Sequence, residues 1–147
     1  MSTAYDEELL QEIATEVREG LAKVIPDSGE YFSRLASEFP TTGSRIDWDS
    51  VPNAVTAYSE SVGQQQIDDF IEFFDKTVAD HGLEGHVIYM GDSATNVALV
   101  LSLTTLRNHL SAFISIPQHH YFVAENFDWC LAFTFEGDMG FGRRPSI

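Results

Sequence analysis

Cysteine is nearly missing from this chain. Cys130 stands alone, so no intramolecular disulfide forms, and a reducing compartment, hence a cytoplasmic location, is expected. Lysine is almost as scarce. Lys23 and Lys76, with six arginines, face 23 acidic side chains. The resulting net charge of −15 works against nucleic acid, whose affinity rests on phosphate neutralisation, and against anionic lipid. No apolar run approaches the ~20 residues of a membrane helix, and the best, 97–103, is far too short. The opening MSTAYDEELLQEI has no basic region ahead of an apolar run, so no secretory signal is expected. The signatures GxSxG, HExxH and DxDxDG do not occur.

What is present suits a folded core. The 147 residues are most simply one domain, and a chain of that size buries roughly 70% of its unfolded surface. With 44% hydrophobic residues and 11 Phe, composition excludes disorder. Charge is unevenly spread. Residues 1–80 carry 17 acids and 5 bases, whereas residues 81–147 carry 6 and 3. Solubility, a salt-adapted host and a functional acidic face all account for such an excess. A functional face would steer a basic partner.

Residues 6–24 read as a first helix, with Leu9, Leu10, Ile13, Val17, Leu21 and Val24 on one side. Glu8, Glu12, Glu16 and Glu19 line the other. Glu8/Glu12 and Glu12/Glu16 repel at i,i+4, and Glu19 with Lys23 is the favourable pair. Residues 29–39 fit a second helix after Pro26, capped by Asp27 or Ser28. Residues 45–63 suggest a helix with Pro52 in its first turn, capped by Asp49 or Ser50 and running to about Ser61. Residues 64–81 are the clearest helix, with Ile67, Phe70, Ile71, Phe74 and Val78 inward and Gly82 closing it. Asp68, Asp69 and Glu72 lie on the rest of its surface, with Glu72 to Lys76 a favourable pair. Phe73 falls off the apolar face, toward Asp69 and Asp80. It either packs on a neighbouring helix or stands as an aromatic anchor in an acidic face.

Beyond residue 85 the pattern becomes strand-like: 86–90, 97–103, 118–125, a strand from Trp129 and a return through Met139–Gly142, with a helix before Pro117. In WCLAFTF, Leu131, Phe133 and Phe135 point to one face and Cys130, Ala132 and Thr134 to the other. The expected fold is therefore α+β: N-terminal helices covering one face of a mainly antiparallel C-terminal sheet of about four or five strands.

Little here suggests chemistry. Gly137, Gly140 and Gly142 follow a strand, but no helix follows to meet a phosphate, so a hairpin turn explains them better. His119 and His120 are adjacent on a strand and face opposite ways, and His81 and His86 lack further ligands, so no metal or cofactor is expected. The minimal catalytic alternative is Cys130, or the Glu136/Asp138 pair, acting with His119 or His120. A mid-strand cysteine is more simply a small buried residue, and a turn carboxylate more simply a cap.

The segment IPQHHYFVAENFDWCLAFTFEGDMGFG resembles the ending of small bacterial immunity-type proteins of polymorphic-toxin and contact-dependent inhibition systems. In these a Pro–His–Tyr stretch leads to an aromatic strand and an EG–FG turn. The resemblance covers about the last 30 residues, and its motif is structural. It implies a small acidic cytoplasmic protein that binds a cognate toxin domain, often basic, and blocks it. On that reading Glu8, Glu12, Glu16, Asp68, Asp69, Glu72 and Phe73 would form the partner-binding set. A small enzyme or an adaptor subunit is the alternative, and the oligomeric state is left open.

Overall fold

A computed structural model describes residues 2–43 and 45–145. The helices are α1 (Ala4–Glu12), α2 (Ala14–Arg18), α3 (Gly29–Glu38), α4 (Gln64–His81) and α5 (Leu103–Ile114). The strands are β1 (Ala22–Ile25), β2 (Thr41–Thr42), β3 (Arg45–Ile46), β4 (Val55–Tyr58), β5 (His86–Gly91), β6 (Ala98–Ser102), β7 (His120–Ala124), β8 (Trp129–Phe133) and β9 (Asp138–Arg143). Strands β2 and β3 form a small hairpin, and the other seven make one sheet ordered β1-β6-β5-β7-β8-β9-β4. Every pairing in it is antiparallel.

The α+β expectation holds at that level, with two corrections. The sheet is larger than four or five strands because the N-terminal half supplies both of its edges, β1 and β4. The helices are also not all N-terminal, since α5 connects β6 to β7.

The first helix is shorter than its periodicity implies. A Schellman motif ends α2: Leu21 N–H donates to the Glu16 carbonyl (2.8 Å) and Gly20 N–H to that of Val17 (3.1 Å). Gly20, at φ +77°, reverses the chain. Ala22–Ile25 then pairs with β6, as suits the β-branched Val24 and Ile25. Leu21 is left 53% exposed instead of facing the core, and the expected Glu19–Lys23 helical pair is lost. Residues 45–63 differ more. A 3₁₀ turn spans Trp48–Ser50, Asn53 adopts φ +61°, and Val55–Tyr58 is a strand, not a helix.

Two hydrophobic layers sandwich the sheet. Leu9, Phe70, Phe74, Leu106, Leu110 and Phe113 from α1, α4 and α5, with Ile13 at the α1–α2 junction, pack on Val87, Tyr89, Leu99, Phe122, Leu131 and Phe133. On the other face Leu35, Phe39, Ile46 and Val51 cover Ile88, Met90, Tyr121, Val123, Cys130 and Ala132. The helices therefore cover both faces. Phe70 stacks on Phe133 with ring centroids 4.5 Å apart, which fixes α4 over β8.

The aromatic stretch 129–142 is central to this sheet. β9 lies between β8 and β4 and is not an edge. Gly137 takes φ +102° at the β8–β9 turn. Gly140 leaves room for Trp48: a Cβ there would come within 2.2 Å of the indole. The glycines thus serve a turn and a ring that lies flat on the sheet.

Candidate functional site

The seven residues expected to bind a partner fall into two groups on either side of α5, which packs against both α1 and α4. Glu8 is exposed on α1. Glu12 and Glu16 turn inward onto His109 of α5, at 2.6 Å from Nδ1 and 3.3 Å from Nε2. On α4, Asp68 and Glu72 are exposed. Asp69 accepts hydrogen bonds from Ser59 Oγ (2.6 Å) and Gln65 Nε2 (2.8 Å), which hold its carboxyl below the usual range. Lys76 pairs with Asp80 rather than Glu72, and Asp75 is held by Arg107 of α5 at 2.7 Å. Phe73 is half-buried against the core, its ring 6.3 Å from that of Phe70. The outer acidic residues thus give a negative field, while the inner ones tie the helices together.

The catalytic alternative finds its groups dispersed. Cys130 is fully buried, and burial pushes its thiol pKa up, away from the thiolate that a nucleophile needs. It sits in the layer with Tyr121 and Val123, while His120 contacts Tyr89 and Phe133 across the sheet. His119 Nδ1 accepts the Phe135 N–H at 2.9 Å, and Glu136 lies 3.7 Å away. Asp138 is held by Arg45 at 2.6 Å. Among the described residues no group of three or more His, Cys, Asp or Glu is placed to hold a metal ion. No helix there is long and apolar enough to cross a membrane.

A different surface draws attention through its apolar side chains. Among the described residues the three most exposed large hydrophobics are Val62 (83%), Phe135 (62%) and Tyr58 (59%). All three lie at one end of the sheet. Tyr58 ends β4, and Val62 stands on the link from β4 to α4. Phe135 is on the β8–β9 turn, although strand alternation had placed it in the core with Leu131 and Phe133. The strand stops at Phe133 instead. Thr134 and Asp138 then close the turn through Thr134 N–H to the Asp138 carbonyl (2.8 Å) and Asp138 N–H to Thr134 Oγ1 (3.0 Å).

Backbone bonds tie these segments together, while their side chains divide between the two faces of the sheet: Tyr58 lies in the groove beside Trp48, and Val62 and Phe135 lie on the α4–α5 side. Ser59 N–H donates to the Gly137 carbonyl at 3.0 Å, and Tyr58 registers with Asp138. Val62 and Phe135 line a common cleft of about 300 Å³ with Gln66 and Pro117. On the turn that carries Phe135, Glu136 and Asp138 flank the Arg45 guanidinium, which lies 2.6 Å from Asp138 and 3.8 Å from Glu136. Apolar anchors inside a charged rim are the pattern of a protein interface.

The cleft at the other end of the sheet, about 450 Å³, lacks such anchors: its large apolar side chains, Leu83 and Trp129, are buried. Compared with known proteins, the chain matches no family model, no curated protein and no solved structure.

Sequence reasoning left Tyr58 open between core and exposed contact and missed Val62 and Phe135. The cue was local: Phe135 immediately precedes the Glu136-Gly137-Asp138 turn, where a strand face no longer guarantees burial.

Proposed function

We propose that this chain is an acidic protein-binding module, an immunity-type protein that binds and neutralises a basic toxin domain. The observation that carries the reading is the pair Val62 and Phe135, exposed in one cleft, with Tyr58 exposed on the other face of the same end of the sheet beside the carboxylates of Glu136 and Asp138. A folded domain that gathers its most exposed large apolar side chains at one end of its sheet has a use for them. The net charge of −15, with Glu8, Asp68, Asp69 and Glu72 on the helices, supplies a long-range field that speeds encounter with a basic partner. The apolar cluster then slows dissociation. Glu12 and Glu16 contribute to the field and keep α1 and α2 on α5 through His109. Phe73 supports α4 from within and adds a ring edge to its surface.

Co-expression with the product of the neighbouring gene tests this. A complex that survives size-exclusion chromatography at moderate salt, and cells rescued from that product, support the reading. Free migration of the two proteins together with unprotected cells sinks it.

A further inference from the structure

The sheet has two edges, and they are unlike. β1 carries the exposed Lys23 along its length, a charge of the kind that discourages another strand from pairing. β4 reads VTAY, with no charge and no proline, and all four residues are exposed. Among the described residues no strand lies beyond it.

The register settles which backbone groups of β4 face outward. Ser59 N–H bonds the Gly137 carbonyl, so 59 and 137 form a hydrogen-bonded pair. Bonded and non-bonded pairs alternate along an antiparallel ladder. Val55 and Ala57 therefore bond to Phe141 and Met139 of β9, and the N–H and C=O groups of Thr56 and Tyr58 point away from the sheet.

Side chains beside that edge are selective. Thr56 registers with Gly140 and Tyr58 with Asp138, so both lie on the sheet face that Trp48 covers. There a groove of about 580 Å³ is lined by Asp47, Trp48, Asp49, Tyr58 and Asp138, together with Arg45. Arg45 is already held by Asp138 at 2.6 Å, which leaves Asp47 and Asp49 without a cationic partner among the described residues. Two aromatic rings and two carboxylates, of which Asp47 accepts the Ser50 hydroxyl (2.7 Å), suit a lysine or arginine side chain.

We propose that an extended basic segment of a protein partner adds to β4 as an eighth strand, pairing with the backbone of Thr56 and Tyr58 and placing a lysine or arginine in the Asp47–Asp49 groove. Main-chain bonds would hold the strand, and alternate side chains would read the groove. Charge complementarity decides the occupant. A second copy of this chain, at −15, would bring Asp47 and Asp49 toward their own likes. The inference rests on the protein-binding reading and specifies where and how that partner docks.

The test uses the whole protein and a short probe peptide alternating lysine and valine, with an alternating glutamate–valine peptide for comparison. Fluorescence anisotropy at low ionic strength reads affinity, and amide hydrogen exchange reads the site. The lysine peptide is expected to bind, to slow exchange at Thr56 and Tyr58, and to lose about tenfold or more in affinity with Thr56→Pro. That substitution removes an outward N–H and spares the β9 ladder. The double variant Asp47→Lys/Asp49→Lys leaves the edge backbone untouched and should weaken the lysine peptide while improving the glutamate peptide. Absence of binding, or protection confined to residues away from β4, overturns the proposal. A neighbouring-gene product that binds tightly while Thr56 and Tyr58 keep exchanging overturns the strand addition alone. The broader reading fails separately, when no basic protein is captured at all.

Discussion

The Tyr89 hydroxyl and Nδ1 of His120 share a hydrogen bond of 2.6 Å where neither side chain reaches solvent. The same Tyr89 hydroxyl lies 3.5 Å from the Phe113 carbonyl at the end of α5. Gln118 Nε2 donates to the same Tyr89 oxygen at 3.3 Å, and Gln118 Oε1 accepts the N–H groups of Ser93, Ala94 and Thr95. One buried chain of hydrogen bonds thus runs from the β5–β6 loop to the end of α5. Tyr89→Phe removes the hydroxyl partner of His120 and should cost about 1–3 kcal/mol in denaturant unfolding.

Acid should unfold the protein partly through His120. Burial, the largest cause, lowers its pKa to about 3 from the ordinary 6.5. The unfolded chain therefore binds this proton near pH 6.5, and the folded chain not until about pH 3. Stability from this group is complete above pH 6.5 and falls as pH drops toward 3, by about 1.4 kcal/mol per pH unit. Urea titrations across that window should show the slope, and His120→Gln should reduce it while lowering stability at neutral pH.

Asp6 is the buried carboxylate of the N-terminal helix. It accepts the N–H groups of Thr3 (2.9 Å), Asn96 (2.8 Å) and Val97 (3.2 Å), stitching the start of α1 to the β5–β6 loop. Asp6→Ala strands those donors and should cost roughly 3 kcal/mol. Asp6→Asn keeps one acceptor and should cost less. Thermal unfolding of the two variants checks the order.

Gly140→Ala drives a methyl group into the Trp48 ring, and a loss of about 1–3 kcal/mol is expected. The same change in a Trp48→Ala background should cost much less than in the native chain, because the two sites are in contact.

Much of the second half of the fold was legible from pattern. The apolar faces of α4 and of the helix before Pro117 follow the helical period because each packs on one side of the sheet, and strands β5 to β8 stand out as short apolar runs because both faces of the sheet are covered. The first half misled for a physical reason. Helical spacing ran on through Gly20, Leu21 and Val24, but Gly20 could close a Schellman motif and Val24 could pair with β6, contacts far away in sequence. Pro52 after Asp49 and Ser50 looked like a helix start, yet Val55–Tyr58 found β9. The candidate surface was least legible. Glu12 and Glu16 looked free until α5 brought His109 to them, and Phe135 looked buried until the strand ended two residues before it.

Phe135 separates binding from stability. It is 62% exposed, so Phe135→Asp should leave the melting temperature nearly unchanged. Isothermal titration of the neighbouring-gene product into the native chain and this variant is the most direct test of the interface. Tight binding by the native chain, weakened by about thirtyfold or more in Phe135→Asp, is the predicted result. Equal affinity for both proteins, or no heat of binding with either, would contradict it.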